Sequence, residues 1–245
     1  MEGIIWCPPA SGAALSLSRQ LGWRKMRTMR GMRRFLRRNP PPSAAVVLAP
    51  QGWISGRQLL LSASSGMPVT LINDKVCWNK LNQHHVLKGA GIPTLDVLSY
   101  PPDEGWIPRT MHHGGGDDFL QPIEPDYFTR KVSVEKEFRF HIIGGKSVKA
   151  GGKIPLPEAH EWVRARQFGW VVDYGPRGRE GITGAMREMA KEAALTLQMD
   201  AGVVDVWKLT TGESLVGEVN MRPGMDAPTV QAWAAALKEF CGNNQ

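Results

Sequence analysis

The chain has 245 residues, enough for one large domain or for two to three smaller lobes around a real core. Hydrophobic residues make up 42% and charged residues 22%, which is typical of a globular protein and excludes a disordered one. No apolar run approaches the roughly 18 residues of a membrane-spanning helix, and the apolar N-terminal stretch lacks the preceding basic residues of a signal peptide. Three widely spaced cysteines predict reduced thiols in a cytoplasmic protein, without a zinc site or a disulfide framework.

Positive charge is concentrated towards the N-terminus, within a formal net charge of +7. Residues 1–73 contain ten Lys and Arg residues and one acid, and nine of those bases lie between Arg19 and Arg38. A block of this kind suits an acidic partner, such as nucleic acid, an anionic peptide or a phosphorylated substrate. It is equally compatible with a solvated basic surface.

The first 73 residues alternate between predicted strands and helices. Short apolar runs at 4–6, 44–49 and 69–73 predict buried strands, and helices are predicted over 11–22 and 56–64. The basic stretch over 23–42 stays ambiguous, because methionines recur every third residue but Gly31 weakens a helix. Strand–helix alternation predicts a small parallel α/β lobe with ligand positions beyond the carboxyl ends of its strands. Those ends are near Ser11–Gly12, Gln51–Gly52 and Asn73.

The rest of the chain reads as mixed helices and antiparallel strands. Helices are predicted over 79–93, 183–198 and 227–240. Strands are predicted over 106–111, 126–132, 137–145, 146–154 and the hairpin 203–220, with a glycine loop over 112–118. Phe138, Phe140 and Ile142 share one face of their strand, which predicts an apolar side of a sheet.

The hairpin at 203–220 carries the best candidate for a metal site. Glu218 and Asn220 are two residues apart, so they project from one face of a strand. A turn centred on Thr211–Gly212 puts residue 210 opposite 213 and Asp205 opposite Glu218. Two carboxylates about 5 Å apart repel each other unless a cation lies between them. Two carboxylates and an amide suit Mg²⁺; the alternative is a pair of exposed acids neutralised by Lys208 or Arg222.

A second candidate is the stretch RTMHHGGGDD at 109–118. Backbone N–H groups of a glycine loop can approach phosphate closely, and Arg109 could hold phosphate oxygens with its guanidinium. The stretch matches neither the Walker nor the Rossmann pattern, so the alternative is a surface hairpin turn. Bases on the following strands could join it or could simply be solvated: Lys131, Arg139, Lys149 and Lys153. His141 is interpreted as a packed strand residue.

Four stretches in this order resemble an ATP-grasp protein, and in particular the small RimK-like ATP-grasp proteins encoded by tailed phages. They are NKLNQHHVLKGAGIPT, RTMHHGGG, YFTRKVSVEKEFRFHIIGGK and GVVDVWKLTTGESLVGEVNMRPG. The last is the most specific, with an Asp, then Glu-x-Asn, then Pro-Gly. The resemblance runs from about Asn79 to the C-terminus. It implies an α/β (α+β) ATP-grasp fold whose two lobes grip a nucleotide, preceded by a short Rossmann-like lobe. The expected boundaries are 1–75 for the basic lobe, 76–133 for the small lobe and 134–245 for the central and C-terminal lobe.

The resemblance also implies roles for individual residues. Cations would neutralise the triphosphate, a loop would close over it, a backbone segment would bind adenine and a glutamate would bind the ribose. The cations are Lys80, Arg109 and Lys153; the loop residues are His113, Gly114, Gly115 and Gly116; the adenine-binding segment is Arg130, Lys131 and Val132; and the glutamate is Glu137. Arg139 is also expected to bind the cofactor. Asp205, Glu218 and Asn220 would hold Mg²⁺, with Mn²⁺ as an alternative. Arg222 and Arg164 would face the acyl phosphate or the γ-phosphate.

The resemblance implies an ATP-dependent carboxylate–amine or carboxylate–thiol ligase in the cytoplasm, acting through an acyl phosphate. The acidic substrate could be a peptide or an amino acid. Two departures affect this expectation. RARQFGW at 164–170 lacks the asparagines of the phage relatives, and Asp117–Asp118 replace glycines after the loop. Two alternatives stay open: a degenerate nucleotide-binding protein whose basic lobe binds nucleic acid, and an enzyme that transfers phosphate without ligation.

Overall fold

The computed structural model describes residues 2–6, 12–22, 24–26, 44–48, 70–73, 75–77, 79–100, 103–110, 124–161, 163–221 and 223–243. The chain forms two compact units. The first comprises Met1–Val76, Met199–Ala201 and Met221–Gln245, and the second comprises Cys77–Gln198 and Gly202–Asn220. No helix in these described ranges has the length and hydropathy that crossing a bilayer would require.

The first unit contains a four-stranded parallel sheet in the order β2-β1-β3-β4. Its strands are β1 (Glu2–Trp6), β2 (Arg24–Met26), β3 (Ala44–Leu48) and β4 (Thr70–Ile72). The predicted parallel α/β lobe is confirmed, and the three apolar runs are its strands. The edge strand β2 comes from the basic stretch whose sequence was ambiguous, while the helix predicted over 56–64 lies outside the described residues.

Helix α1 (Gly12–Leu21) packs against the C-terminal helix of the chain, α5 (Ala227–Asn243). Leu17 and Leu21 are buried on α1, and Val230, Trp233 and Leu237 are buried on α5 at helical spacing. This packing places α5 in the first unit. The division therefore differs from the three lobes predicted from sequence, in which 221–245 continue the central lobe. Apolar periodicity predicted the helix but not its partner.

Asn73 follows β4 and adopts a left-handed backbone conformation, with φ of 62°. Its side-chain oxygen accepts hydrogen bonds from the backbone N–H groups of Asp200 and Ala201, and its amide donates to the carbonyl of Ala201. The side chain is fully buried. Asn73 was predicted to lie at a ligand position beyond its strand, but in the structure these contacts give it a structural role, closing a connection within the first unit.

The second unit begins with helix α2 (Lys80–Gly89). Asn79 caps its N-terminus by accepting a hydrogen bond from the backbone N–H of Asn82, and Gly91 follows the helix with a positive φ. A three-stranded antiparallel sheet follows, in the order β5-β7-β6. Its strands are β5 (Val97–Leu98), β6 (Trp106–Arg109) and β7 (Tyr127–Arg130).

The larger sheet of the second unit has five strands in the order β10-β9-β8-β11-β12. They are β8 (Val134–Ile143), β9 (Lys146–Pro155), β10 (Trp170–Asp173), β11 (Ala201–Leu209) and β12 (Ser214–Asn220). Phe138, Phe140 and Ile142 are fully buried on one face, as predicted. Helix α4 (Gly184–Thr196) packs against β8, β9 and β12. Strand alternation puts Glu137, Arg139 and His141 on the opposite face.

The edge of this sheet includes elements that the sequence did not predict. After a 3-10 turn (Arg166–Phe168) and β10, the short helix α3 (Pro176–Arg179) packs against β9. A Cβ atom at Gly178 would lie 1.8 Å from the carbonyl oxygen of Asp173, so only glycine allows this close approach.

Candidate functional site

The hairpin of β11 and β12 has the predicted pairing at the end that carries Asp205, Glu218 and Asn220. Asp205 lies opposite Glu218, and Val203 lies opposite Asn220. The turn, however, differs from the prediction: the backbone N–H of Leu209 donates to the carbonyl of Glu213, which closes a three-residue loop. Gly212 adopts φ of 91° in this loop, and a left-handed glycine favours a three-residue loop over a two-residue one.

A β-bulge restores the register that the longer loop would otherwise have shifted. Val206 pairs with Val216 and Asp205 with Glu218, so Gly217 is the extra residue. A Cβ atom at Gly217 would lie 2.2 Å from the indole of Trp207, which explains why glycine occupies the bulge. Loop and bulge together keep Asp205 and Glu218 opposite each other.

Asp205 is held by Arg139 of the neighbouring strand β8. Arg139 Nε donates to Asp205 Oδ1 at 2.8 Å and Nη2 donates to Oδ2 at 2.6 Å, a bidentate ion pair. The Asp205 side chain is fully buried. Burial by itself lowers the pKa of Arg139, but the adjacent carboxylate more than offsets this and holds that pKa above its usual value. Both oxygens of Asp205 therefore already accept strong hydrogen bonds.

Glu137 forms a second buried ion pair with Lys153 of strand β9. Burial raises the pKa of Glu137 above its ordinary value, while the neighbouring Lys153 ammonium opposes that rise. Lys153 Nζ also donates to the carbonyl of Arg164 at 2.9 Å and lies 4.0 Å from Asp205 Oδ2. This contact with Asp205 links the two ion pairs into one network on the same face of the sheet.

Lys80, the first residue of α2, reaches the edge strand β12. Its Nζ donates to the carbonyl of Val219 at 2.5 Å and to Asn220 Oδ1 at 2.8 Å, and it lies 3.1 Å from Glu218 Oε1. The Lys80 side chain is 7% exposed and that of Glu218 is 33% exposed. A lysine and two of the predicted metal ligands are thus in direct contact.

One helix and four strands of the second unit bring these charged and polar groups together. The members are Lys80, Glu137, Arg139, Lys153, Asp205, Glu218 and Asn220. Each carboxylate of the set lies in an ion pair with a cation of the set: Glu137 with Lys153, Asp205 with Arg139 and Glu218 with Lys80. A network of this kind can exchange internal ion pairs for the phosphates and the cation of a charged ligand.

Glu218 and Asn220 provide oxygen donors of the kind that Mg²⁺ prefers, and Mg²⁺ keeps its other positions for water and phosphate. The described residues include no group of three or more His, Cys, Asp and Glu side chains arranged to hold a metal ion. A group of these four residue types leaves out amide oxygens such as that of Asn220. Asp205, in addition, already accepts two hydrogen bonds from Arg139. The residues therefore fit a magnesium ion held through the carboxylate of Glu218 and the amide oxygen of Asn220, with Asp205 opposite.

Arg109 lies on the three-stranded sheet, where its Nε donates to Thr129 Oγ1 at 3.1 Å. Burial lowers the pKa of His84 to about 4, and the positive charges of Lys80 and Arg109 add to this effect. His84 Nδ1 lies 2.8 Å from Thr94 Oγ1, and that hydroxyl donates to the carbonyl of Val216. His84 was not predicted as part of the site, because only its burial beside two cations distinguishes it.

The segment 130–132, predicted to bind adenine, already uses two of its backbone donors. The N–H of Arg130 donates to the carbonyl of Asp96, and the N–H of Lys131 donates to the carbonyl of Gly105, both at 2.9 Å. The guanidinium of Arg130 stacks 5.6 Å from the ring centre of Trp106. Adenine binding by the backbone of this segment stays a prediction, and the carbonyls of the segment and the backbone of Val132 are the groups that these two hydrogen bonds leave for it.

Arg164 lies beside the network without pointing a hydrogen bond at its carboxylates. Its guanidinium donates to the carbonyl of Val134 and stacks 4.9 Å from the ring centre of Trp170. Burial lowers its pKa, and the charge of Glu137 opposes this. The other predicted catalytic arginine, Arg222, lies outside the described residues. So does the glycine loop with His113, Gly114, Gly115 and Gly116.

A further polar group on β8 and β9 is centred on Tyr174, which sequence analysis did not single out. Its hydroxyl lies 2.6 Å from His141 Nε2, and Lys149 Nζ lies 4.1 Å from the centre of its ring. His141 is fully buried, which agrees with its interpretation as a packed strand residue. Tyr174 follows the strand β10, so its contacts with His141 and Lys149 depend on the pairing of β10 with β9, which the sequence does not give.

No protein-family model and no curated protein matches the chain. Solved structures match nearly all of it. The ATP-grasp ligase PsnB complexed with precursor peptide PsnA2 and AMPPNP has a TM-score of 0.62 at 11% identity, over 98% of this chain and 96% of that one. D-alanine–D-alanine ligase from Bacillus anthracis complexed with ATP has a TM-score of 0.65 at 14% identity, over 98% and 92%. The macrocyclase MdnC bound with precursor peptide MdnA, from Microcystis aeruginosa MRC, has a TM-score of 0.60 at 12% identity, over 98% and 100%.

Proposed function

Since the chain has the ATP-grasp fold, we propose that it is an ATP-dependent ligase that activates a carboxylate and joins it to an amine or a thiol. One observation carries this proposal. Three cations and three carboxylates from one helix and four strands meet on a single sheet face, beside an amide that can bind a metal. Charge of both signs at one place suits a ligand that is itself a polyanion with a divalent cation.

In this proposal Lys80, Arg109 and Lys153 bind the phosphate oxygens, and Glu137 accepts hydrogen bonds from the ribose hydroxyls. Glu218 and Asn220 hold Mg²⁺, or Mn²⁺ in its place, and Asp205 lies opposite Glu218, where Arg139 holds it. The bound cation would neutralise charge on the phosphates. Except for Arg109, which lies on the three-stranded sheet, the named side chains belong to the network on one face of the five-stranded sheet.

The proposed reaction balances in two steps. A carboxylate oxygen of the substrate attacks the γ-phosphorus of ATP, which breaks the bond between that phosphorus and the β,γ-bridging oxygen. The products are ADP and an acyl phosphate. An amine or a thiol then attacks the acyl carbon and expels inorganic phosphate, with loss of one proton. The protein forms no covalent bond in this scheme, so its contribution is positioning and neutralisation of charge.

A peptide is the substrate class that we favour. PsnB and MdnC are both described with precursor peptides bound. In this chain, nine bases between Arg19 and Arg38 give the first unit a charge that complements an acidic peptide. We therefore propose that the activated carboxylate belongs to an acidic peptide.

Calorimetry tests nucleotide binding. Wild-type protein is titrated with AMPPNP in Mg²⁺, beside Glu218→Gln and Glu213→Gln. Glu213 is an exposed acid of the same hairpin that accepts a hydrogen bond from the hydroxyl of Thr211, and it serves as the matched control. We expect Glu218→Gln to weaken binding at least about tenfold, a loss of about 1.4 kcal/mol. Glu213→Gln should bind like wild type, and absence of heat for the wild-type protein at millimolar AMPPNP would exclude the proposed site.

Ligation is tested separately, with a library of peptides rich in Asp and Glu, amine acceptors and Mg-ATP. A ligase releases ADP and phosphate in a peptide-dependent manner and gives a product that has lost the elements of water. A phosphorylated peptide without condensation would identify phosphate transfer instead. Binding of nucleotide without any release of ADP, over the whole library, would leave a nucleotide-binding protein and contradict the ligase proposal.

A further inference from the structure

The ammonium group of Lys80 makes two hydrogen bonds and one ion pair with strand β12. A lysine ammonium has three donors, and three oxygens lie within reach: Val219 O at 2.5 Å, Asn220 Oδ1 at 2.8 Å and Glu218 Oε1 at 3.1 Å. The side chain is nearly buried, so little water competes for these contacts. Lys80 is thus an internal counter-cation of β12, not a solvated charge.

Two of those three oxygens belong to the residues proposed to bind magnesium. A magnesium ion binds its oxygen ligands at about 2.1 Å. Bound to Glu218 and Asn220, it would lie close to the ammonium, and the two positive charges would repel each other. A divalent cation and the ammonium of Lys80 therefore compete for the same oxygens.

The rest of the network offers no substitute for Glu218. Asp205 faces Glu218 across the hairpin, but Arg139 donates to both of its carboxylate oxygens. Glu137 is paired with Lys153. Glu218 is the most exposed carboxylate of this set, at 33%, and it lies 3.1 Å from the ammonium of Lys80.

We propose that Lys80 keeps divalent metal away from Glu218 and Asn220 until a triphosphate draws its ammonium off strand β12. This inference rests on the proposed function, in which the same site takes Mg-ATP. Phosphate oxygens are competent acceptors for an ammonium group, and moving Lys80 to them releases the ligand oxygens of Glu218 and Asn220. Metal and nucleotide then bind as a coupled pair, because each favours the same position of Lys80.

The direct test is binding of Mn²⁺ alone, measured by electron paramagnetic resonance, to wild-type protein and to Lys80→Met. Methionine keeps the length of the side chain and removes its charge. We expect Lys80→Met to bind Mn²⁺ at least about tenfold more tightly than wild type in the absence of nucleotide. Lys80→Arg, which keeps the charge, should stay close to wild type. Lys88→Met is the matched control, since Lys88 lies on the same helix in an exposed pair with Asp96, and it should leave Mn²⁺ affinity unchanged.

Unchanged or weaker Mn²⁺ binding by Lys80→Met would overturn the proposal, because the ammonium would then be organising the ligands. If Lys80→Met does not fold, the proposal is tested on the wild-type protein by comparing its Mn²⁺ affinity with and without AMPPNP. Its Mn²⁺ affinity should rise at least about tenfold when AMPPNP is bound, and equal affinities with and without AMPPNP would overturn the inference.

The outcomes also separate this inference from the proposed function. Tighter Mn²⁺ binding by Lys80→Met in a protein that binds no AMPPNP would support competition by Lys80 and reject the ATP site. Normal binding of AMPPNP by wild type, without a gain of Mn²⁺ affinity in Lys80→Met, would keep the ATP site and reject the competition.

Discussion

Removal of Arg139 should destabilise the second unit more than removal of any exposed lysine of the same sheet. Asp205 is fully buried, and both of its oxygens accept hydrogen bonds from Arg139 at 2.6 and 2.8 Å. At a charge separation of about 4 Å and an effective dielectric constant of about 20, the attraction is about 4 kcal/mol. Arg139→Met leaves the buried carboxylate without its hydrogen-bonded cation, and Lys153 Nζ is 4.0 Å from it, so we expect a loss of about 3–5 kcal/mol in the free energy of unfolding.

A control pair lies on the same two strands. Lys208 of β11 contacts Glu135 of β8 at 2.8 Å, but their side chains are 32% and 48% exposed. Solvent screens such a pair, so Lys208→Met should cost less than about 1 kcal/mol. Each pair joins a cation to a carboxylate across β8 and β11. The Arg139–Asp205 pair is buried and bidentate, whereas the Lys208–Glu135 pair is partly exposed.

Urea denaturation, followed by far-ultraviolet circular dichroism, measures both double-mutant cycles. The first combines Arg139→Met with Asp205→Leu, and the second combines Lys208→Met with Glu135→Gln. We expect the Arg139–Asp205 double variant to recover most of the stability that Arg139→Met loses, because neither charge of this pair remains. A loss for Arg139→Met no larger than that for Lys208→Met, or additive effects in the first cycle, would refute the reasoning.

Two further predictions concern His84 and the hairpin. The pKa of His84 in the folded protein, about 4, lies below that of an unfolded histidine, so its contribution to stability is present above about pH 6.5 and is lost as the pH falls towards 4. In the wild-type protein, we therefore expect the unfolding free energy to fall by about 2 kcal/mol between pH 7 and pH 5. His84→Gln should abolish this fall, whereas His85→Gln, at an exposed position, should retain it. Urea denaturation at both pH values measures the difference. Gly217→Ala forces a Cβ atom to within 2.2 Å of the Trp207 indole and should cost about 2 kcal/mol of unfolding free energy in urea denaturation, while Gly184→Ala, which meets open space, should cost nothing; equal stability of these two variants would contradict the packing argument.

Strand alternation and hairpin pairing predicted much of the site. Glu218 and Asn220 share a face because they are two residues apart, and Asp205 lies opposite Glu218 as expected. The pairing nevertheless depends on two departures from the expected hairpin, a three-residue loop and a bulge at Gly217, which offset each other. Sequence spacing cannot reveal such offsets, because the bulge depends on how Trp207 packs across the hairpin.

The partners of the charged residues could not be predicted in the same way. Arg139 and Asp205 are 66 residues apart in sequence, and Lys80 and Asn220 are 140 apart. Their contacts depend on the order of strands in the five-stranded sheet and on the placement of α2 against β12. The placement of α5 in the first unit has the same origin, since an apolar helix face indicates burial without identifying the surface that covers it.

The three ion pairs differ in how readily their cations could leave a carboxylate and move to the phosphate of a bound nucleotide. Arg139 makes two hydrogen bonds to one buried carboxylate, so moving its guanidinium to a phosphate would cost Asp205 both of these bonds. Lys80 contacts a carboxylate that is one-third exposed, so water can solvate Glu218 when the ammonium leaves. Lys153 is intermediate, because its partner Glu137 is buried but the pKa of that carboxyl is already raised. Exchange with a ligand should therefore involve Lys80 first, while Arg139 stays with Asp205 and fixes the strand from which the hairpin presents Glu218.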